Sequence, residues 1–149
     1  MTHPAPRAGL WRRLAALLYD RVLIASLLMV TSVITTALNR GQAITADHPL
    51  FHYYQLILVA VVVVFYGQFW MRGGQTLGMK AWRIQLRTQN GEPIGWLRVL
   101  RRCSAGLLSW LPLGLGYLWL LIDRDRLTWH DRLSGTEVVV LLPHPPKQD

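Results

Sequence analysis

Three long runs without a single charged residue limit what this chain can fold into: Val22 to Asn39, Tyr53 to Met71 and Cys103 to Ile122. Each is about the length a helix needs to cross a ~30 Å hydrocarbon core. A soluble domain of 149 residues rarely has room to bury three of them. The runs therefore predict an all-α membrane protein with two spanning helices and a third hydrophobic segment. That third segment is broken by Leu111-Pro112-Leu113-Gly114-Leu115-Gly116. Proline and glycine there either kink a third crossing or split it into a re-entrant pair of half-helices. A re-entrant backbone has to be covered by protein, because its polar groups have no water to bond. Arginines flank the run on both sides, Arg101 and Arg102 before it and Arg124 and Arg126 after it, so both paths stay open. Asp123-Arg124-Asp125-Arg126 and His130-Asp131-Arg132 suit a cytoplasmic face, which favours the in-and-back or deeply kinked path.

The first helix is expected from about Ala8 to Leu38, ending at Asn39-Arg40-Gly41, and the second from about Leu50 to Met71. Tyr53, Tyr54, Phe69 and Trp70 lie at the two ends of the second, where aromatic side chains favour the membrane interface. Arg7, Arg12 and Arg13 put the N-terminus in the cytoplasm by the positive-inside rule. Ser26, Thr31, Ser32, Thr35 and Thr36 either bond across to another helix or bond back to carbonyls of their own helix. The first run carries Asp20 and Arg21 and no small-residue cleavage site follows it, so it is expected to stay attached rather than act as a signal peptide.

The formal net charge of +8 raises nucleic acid as a partner. The basic residues border apolar runs instead of forming a basic domain, so membrane anchoring accounts for them and no nucleic-acid partner is expected. A single cysteine, Cys103, excludes an internal disulfide and a cysteine-rich metal site. The five histidines lack ligand spacing, so no metal or other cofactor is expected. No nucleophile elbow or fixed catalytic pair is present, and the chain is not expected to be an enzyme.

Between the second and third runs lies Arg72-Gly73-Gly74-Gln75-Thr76-Leu77-Gly78-Met79-Lys80. Its glycine spacing does not fit a phosphate-binding loop. Gly73 or Gly74 is expected to stop the second helix, and Gly78 to allow a close backbone approach. Ala81 to Thr88 alternates apolar and polar residues and meets Asn90-Gly91, a strand entering a hairpin turn with a short return over Glu92-Pro93-Ile94. A second strand-like segment covers Thr136 to Leu142. A lone strand is unstable, so it is expected to pair with Ala81 to Leu86 as a small β element at the cytoplasmic surface.

Arg13 and Asp20 are seven positions apart in the first helix, which places them on one face roughly 10 Å apart along the axis. Ala16, Leu17, Ile24 and Leu27 share that face, which is read as the one turned into the protein. Arg12 is worse placed toward Asp20 by one residue's rotation. A carboxylate so close to hydrocarbon needs a partner and a purpose. Asp20 either titrates or carries a cation, or forms a structural pair with Arg13. Asp131 either meets Arg13 or Arg102 and bolts the C-terminal segment to the first helix, or serves as a turn or helix cap. Arg98, Arg101 and Arg102 open an amphipathic segment and are expected near lipid headgroups.

Taken in order, several stretches resemble the RDD family of bacterial membrane proteins, named for an arginine and two aspartates. They are Arg13-Leu14-Ala15-Ala16-Leu17-Leu18-Tyr19-Asp20, Gly74-Gln75-Thr76-Leu77-Gly78, Trp82-Arg83-Ile84-Gln85-Leu86, Asn90-Gly91, Arg101-Arg102, and Trp129-His130-Asp131-Arg132-Leu133-Ser134-Gly135-Thr136. The resemblance covers residues 7–142 as one membrane domain, with residues 1–6 and 143–149 as disordered tails. It assigns Arg13, Asp20 and Asp131 as the named residues. It implies a multi-pass protein of the bacterial cytoplasmic membrane, with cation/proton antiport among the family's suggested roles. The expectation is transport of protons or monovalent cations by a homo-oligomer, because so few helices hardly enclose a pathway alone. The alternative is a non-enzymatic accessory or assembly factor, in which the Arg/Asp pairs are structural and the partner is another membrane protein.

Overall fold

A computed structural model of the chain describes residues 6–110, 119, 121–123 and 127–141. The Pro/Gly break at 111–116 lies outside them, as do 1–5 and 143–149. Helix α1 spans Leu10–Leu38 and α2 spans Phe51–Gly73. Neither carries a proline, and each stops where the chain turns left-handed. Arg40 and Gly41 have positive φ after α1, and Gly74 has φ 66° after α2. None of the apolar window of α1 and 11 % of that of α2 is buried within the chain. The core helix of a soluble protein would be covered; these present Val22, Met29, Val33, Leu56 and Val59 to the surroundings. Such faces suit lipid.

The hydroxyls of α1 turn back on their own helix. Ser26, Thr31, Ser32 and Thr35 donate to Val22, Leu27, Leu28 and Thr31 carbonyls. Ser32 alone of these four also reaches across, meeting the Tyr54 hydroxyl of α2 at 2.6 Å.

The remaining elements gather at the N-terminal end of α1. They are α3 (Leu77–Ala81), β1 (Ile84–Thr88), α4 (Trp96–Trp110), α5 (Trp129–Ser134) and β2 (Thr136–Val140). β1 and β2 pair antiparallel, from Ile84 opposite Val140 to Thr88 opposite Thr136. This small sheet joins the alternating segment after α3 to the strand-like segment that begins at Thr136. The hairpin return does not form: Asn90-Gly91 turns, but Glu92 to Ile94 is not a strand. The Glu92 carbonyl instead accepts the Thr88 hydroxyl at 2.5 Å, and Pro93 has no N–H to offer a ladder.

The other edge of β2 holds the start of the chain. Ala8 N–H donates to Val138 O and Val140 N–H to Pro6 O, both at 2.8 Å. Pro6 is thus anchored, although the sequence groups it with the tail. Ala8, Ala16, Met79, Ile84, Leu86 and Val138 form one buried cluster here. The packed core therefore sits at one end of the helices, where both termini of the described chain meet.

Candidate functional site

Asp131 lies at the centre of that end and is fully buried. Thr128-Trp129-His130-Asp131 has the spacing of a capping box, and α5 begins that way: Thr128 accepts the Asp131 N–H, and the Asp131 carboxylate accepts the Thr128 N–H at 3.2 Å. The same carboxylate receives two guanidiniums. Arg13 of α1 bonds Oδ2, and Arg102 of α4 bonds Oδ1 at 2.7 Å. Arg13 and Arg102 are themselves buried, at 5 % and 8 % exposure. Arg13 also donates from Nε to Ala8 O at 3.0 Å. Arg102 donates to the Thr136 hydroxyl at 2.6 Å and lies 5.3 Å from the centroid of the Trp70 ring.

The hydroxyls beyond Arg102 are ordered in one direction. Ser134 donates to His130 O at 2.5 Å, so it accepts from Thr136, which in turn accepts from Arg102. A hydroxyl has one proton to give, which fixes the sequence of donors. Charged donors and a hydroxyl chain inside a dry site make strong, mutually dependent bonds.

Burial pushes the Asp131 carboxyl up, but the Arg102 and Arg13 guanidiniums outweigh it and hold it well below the usual carboxylate range. Burial is the first cause at His130, and Arg102 adds to it; together they lower its pKa to about 3. Two arginines, one carboxylate and a neutral histidine leave the cluster with one net positive charge. Between the ordinary histidine value of 6.5 and about 3, the unfolded chain binds a proton that folded His130 refuses. Stability therefore rises with pH through that window and is lost as pH falls. Asp131 has the same sign: its contribution is present above 3.8 and is lost as pH falls below it. Lowering the pH from 6.5 to about 4 is expected to remove up to about 3 kcal/mol. Thermal unfolding in detergent micelles measures this, and His130→Gln is expected to flatten the dependence over that window. A wild-type profile as flat as the variant's would contradict the burial of a neutral His130.

Asp20 shares the buried face of α1 with Arg13 and Ala16 but does not bond Arg13. Its Oδ1 accepts the Gly78 N–H at 2.9 Å, and its Oδ2 accepts the Thr76 hydroxyl at 2.5 Å. Thr76 is the N-cap of α3 and accepts the Met79 N–H at 3.2 Å. Asp20 thus completes the cap of α3 from a different helix, against N–H groups that carry partial positive charge. A Cβ on Gly78 would stand 2.2 Å from Ala16 O, so only glycine lets α3 lie this close to α1. The inward face of α1 narrows beyond this point, since Leu17 and Ile24 are half-buried and Leu27 is exposed.

The three arginines grouped together by the sequence separate. Arg101 is exposed, and Arg98 pairs with the exposed Glu92. Arg102 faces inward and is not at a headgroup-facing position. Val99, Arg102 and Ala105 are all buried, three residues apart, so Arg102 belongs to the packed side of α4. Arg12 is exposed beside buried Arg13. Sequence reasoning passed over Thr76, Trp70 and Thr136 as site residues. Thr128 carried a readable signal in its capping-box spacing; the others act across the fold and carry none.

A half-enclosed cleft of about 490 Å³ opens between α1, α2 and α4 above this network. Arg13, Asp20, Arg21, Thr76 and Arg102 border its polar end. Among the described residues no group of three or more His, Cys, Asp or Glu side chains converges to hold a metal. A family model described as the RDD family matches residues 7–135. No curated protein and no solved structure matches the chain.

Proposed function

The chain belongs to the RDD family, and we propose that it is a non-enzymatic accessory protein of the bacterial cytoplasmic membrane whose arginine–aspartate network is a structural staple. The observation that carries this reading is the occupancy of both carboxylates. Asp131 gives one oxygen to each of two guanidiniums, and Asp20 gives one oxygen to Thr76 and one to Gly78. Taking up a proton weakens the bonds a carboxylate accepts, and passing the cargo on moves the side chain and releases them. Here each release would unpair a buried charge or uncap a helix, which is costly. The N-terminus lies in the cytoplasm on this reading, with the sheet and α5 at the inner headgroups. The helices α1 and α2 present the surface on which another membrane protein docks.

A second reading keeps one specific observation in view: Asp20 borders the open cleft between the helices. On that reading a homo-oligomer moves protons or monovalent cations past Asp20. Proteoliposomes separate the two. Sodium, lithium or potassium pulses are expected to move no protons through the wild type. Asp20→Asn is expected to lower stability by about 1–2 kcal/mol, as loss of a charged cap does. Cation-driven proton movement by the wild type that is absent from a folded Asp20→Asn protein would overturn the structural reading and establish the second.

A further inference from the structure

Lys80, Ala81, Trp82 and Arg83 are four consecutive exposed residues where α3 passes into β1. Leu77, 42 % exposed, lies three and four positions before Lys80 and Ala81, so the three share one face of α3, while Gly78 and Met79 are buried. Arg83 has φ 52°, a left-handed conformation that residues other than glycine rarely adopt. Its N–H donates to Lys80 O at 3.2 Å, and its carbonyl accepts the Leu141 N–H at 2.8 Å. The first bond closes a four-residue turn, which holds the Cα atoms of Lys80 and Arg83 within about 7 Å. Two cations and an indole thus stand on one tight corner.

Among the described residues, neither Lys80 nor Arg83 makes a side-chain hydrogen bond or ion pair. The described carboxylates at this end of the helices are already taken. Glu137 pairs with Arg7, Glu92 with Arg98, Asp123 with Arg132, and Asp131 with Arg13 and Arg102. Asp20 is bonded to Thr76 and Gly78, and Asp47 lies at the other end, in the loop between α1 and α2. The depth of the corner follows from α1. α3 packs against it between Ala16 and Asp20, through the Asp20–Gly78 bond and the close approach of Gly78 to Ala16 O. These two residues stand about 9 and 3 Å before Val22, where the uncharged run begins. The headgroup layer on each side of the hydrocarbon is about 5–8 Å thick. With α1 in a bilayer, α3 therefore lies at headgroup depth. Tryptophan favours that level, and lysine and arginine there attract phosphate. We propose that the Lys80–Arg83 corner is a contact site for the phosphate headgroup of an anionic lipid. A soluble acidic partner would match the two charges, but not their depth beside exposed Leu77 and Trp82. The proposal rests on the membrane reading above and holds whether Asp20 is a cap or a carrier.

Cys103→Ser removes the one cysteine of the chain. In that background Ala81→Cys gives a labelling position at the corner, and Val59→Cys gives one on the exposed middle of α2. Each full-length protein is labelled with bimane and reconstituted in vesicles of phosphatidylglycerol and phosphatidylcholine in equal parts. Only the lipid that carries brominated, quenching acyl chains is changed. At Ala81, brominated phosphatidylglycerol is expected to quench about two- to fivefold more than brominated phosphatidylcholine. The ratio is expected to fall toward one as salt rises from about 0.05 to about 0.5 M. Lys80→Gln combined with Arg83→Gln is expected to bring it to one at low salt. Arg40→Gln, exposed at the other end of α1, is expected to leave it unchanged.

Equal quenching by the two lipids at Ala81, or a preference that the double variant keeps, would overturn the site while leaving membrane insertion intact. So would quenching at Val59 with none at Ala81, which would put the corner in water, within reach of a soluble acidic partner. Quenching at neither position would overturn the membrane reading itself, and the proposal with it.

Discussion

Asp131→Asn is expected to cost about 3–5 kcal/mol of stability, enough to leave little folded protein. Asparagine keeps the shape and can still accept the Thr128 N–H, so the cap of α5 survives. What disappears is the charge that both buried guanidiniums share. Arg13 and Arg102 would keep their bonds to Ala8 O and the Thr136 hydroxyl, but these are neutral acceptors. Two positive charges would then face each other in a dry site, where repulsion is poorly screened. Chemical denaturation in micelles measures the loss. Arg102→Met placed in the Asp131→Asn background is expected to restore part of it, because an apolar side chain removes one of the two guanidiniums that Asp131 neutralised. An Asp131→Asn protein within about 0.5 kcal/mol of wild type would show that the cluster is not a staple.

Gly78→Ala is expected to cost about 3 kcal/mol, the upper end for a single added methyl group in a packed site. The added Cβ would lie 2.2 Å from Ala16 O and 2.9 Å from Asp20 Oδ1. Neither obstacle is the free end of a flexible side chain. Ala16→Gly cannot relieve the first, since the clash is with backbone. Relief requires α3 to move off α1, which breaks the Asp20 bonds to Thr76 and Gly78. Gly106→Ala is the matched control. It adds the same methyl group inside α4 with nothing within 4 Å, so helix propensity predicts a gain of up to about 1 kcal/mol. Opposite signs at the two positions, read in the same denaturation experiment, identify close approach rather than glycine content as the cause.

The helices were legible in the sequence because a membrane-length run of uncharged residues has few alternatives. Val22 to Asn39 and Tyr53 to Met71 both fall largely within observed helices. The pairing of β1 with β2 was legible because a lone strand is unstable, so the strand-like segment near the C-terminal end needed the alternating one as its partner. The hairpin was misread because Asn90-Gly91 is a strong local turn signal. The register is instead decided by β2, which pairs with β1 from Ile84 to Thr88, while Glu92 to Ile94 stay irregular. Arg102 was misplaced because charge alone does not distinguish it from Arg98 and Arg101. The helical period does, through its three-residue spacing from Val99 and Ala105. The separation of Arg13 and Asp20 into two sites was not legible. Their shared helix face is local, while their partners lie 118 and 58 positions away.

Arg13 and Asp131 stand at opposite ends of the chain, so their coupling tests most directly whether the network staples the fold. A double-mutant cycle of Arg13→Gln and Asp131→Asn, read as unfolding free energy in micelles, isolates it. A coupling of about 1–3 kcal/mol is expected, as for contacting charges within one network. Effects that add to within about 0.3–0.5 kcal/mol would mean that the two residues act independently, and the staple would have to be abandoned.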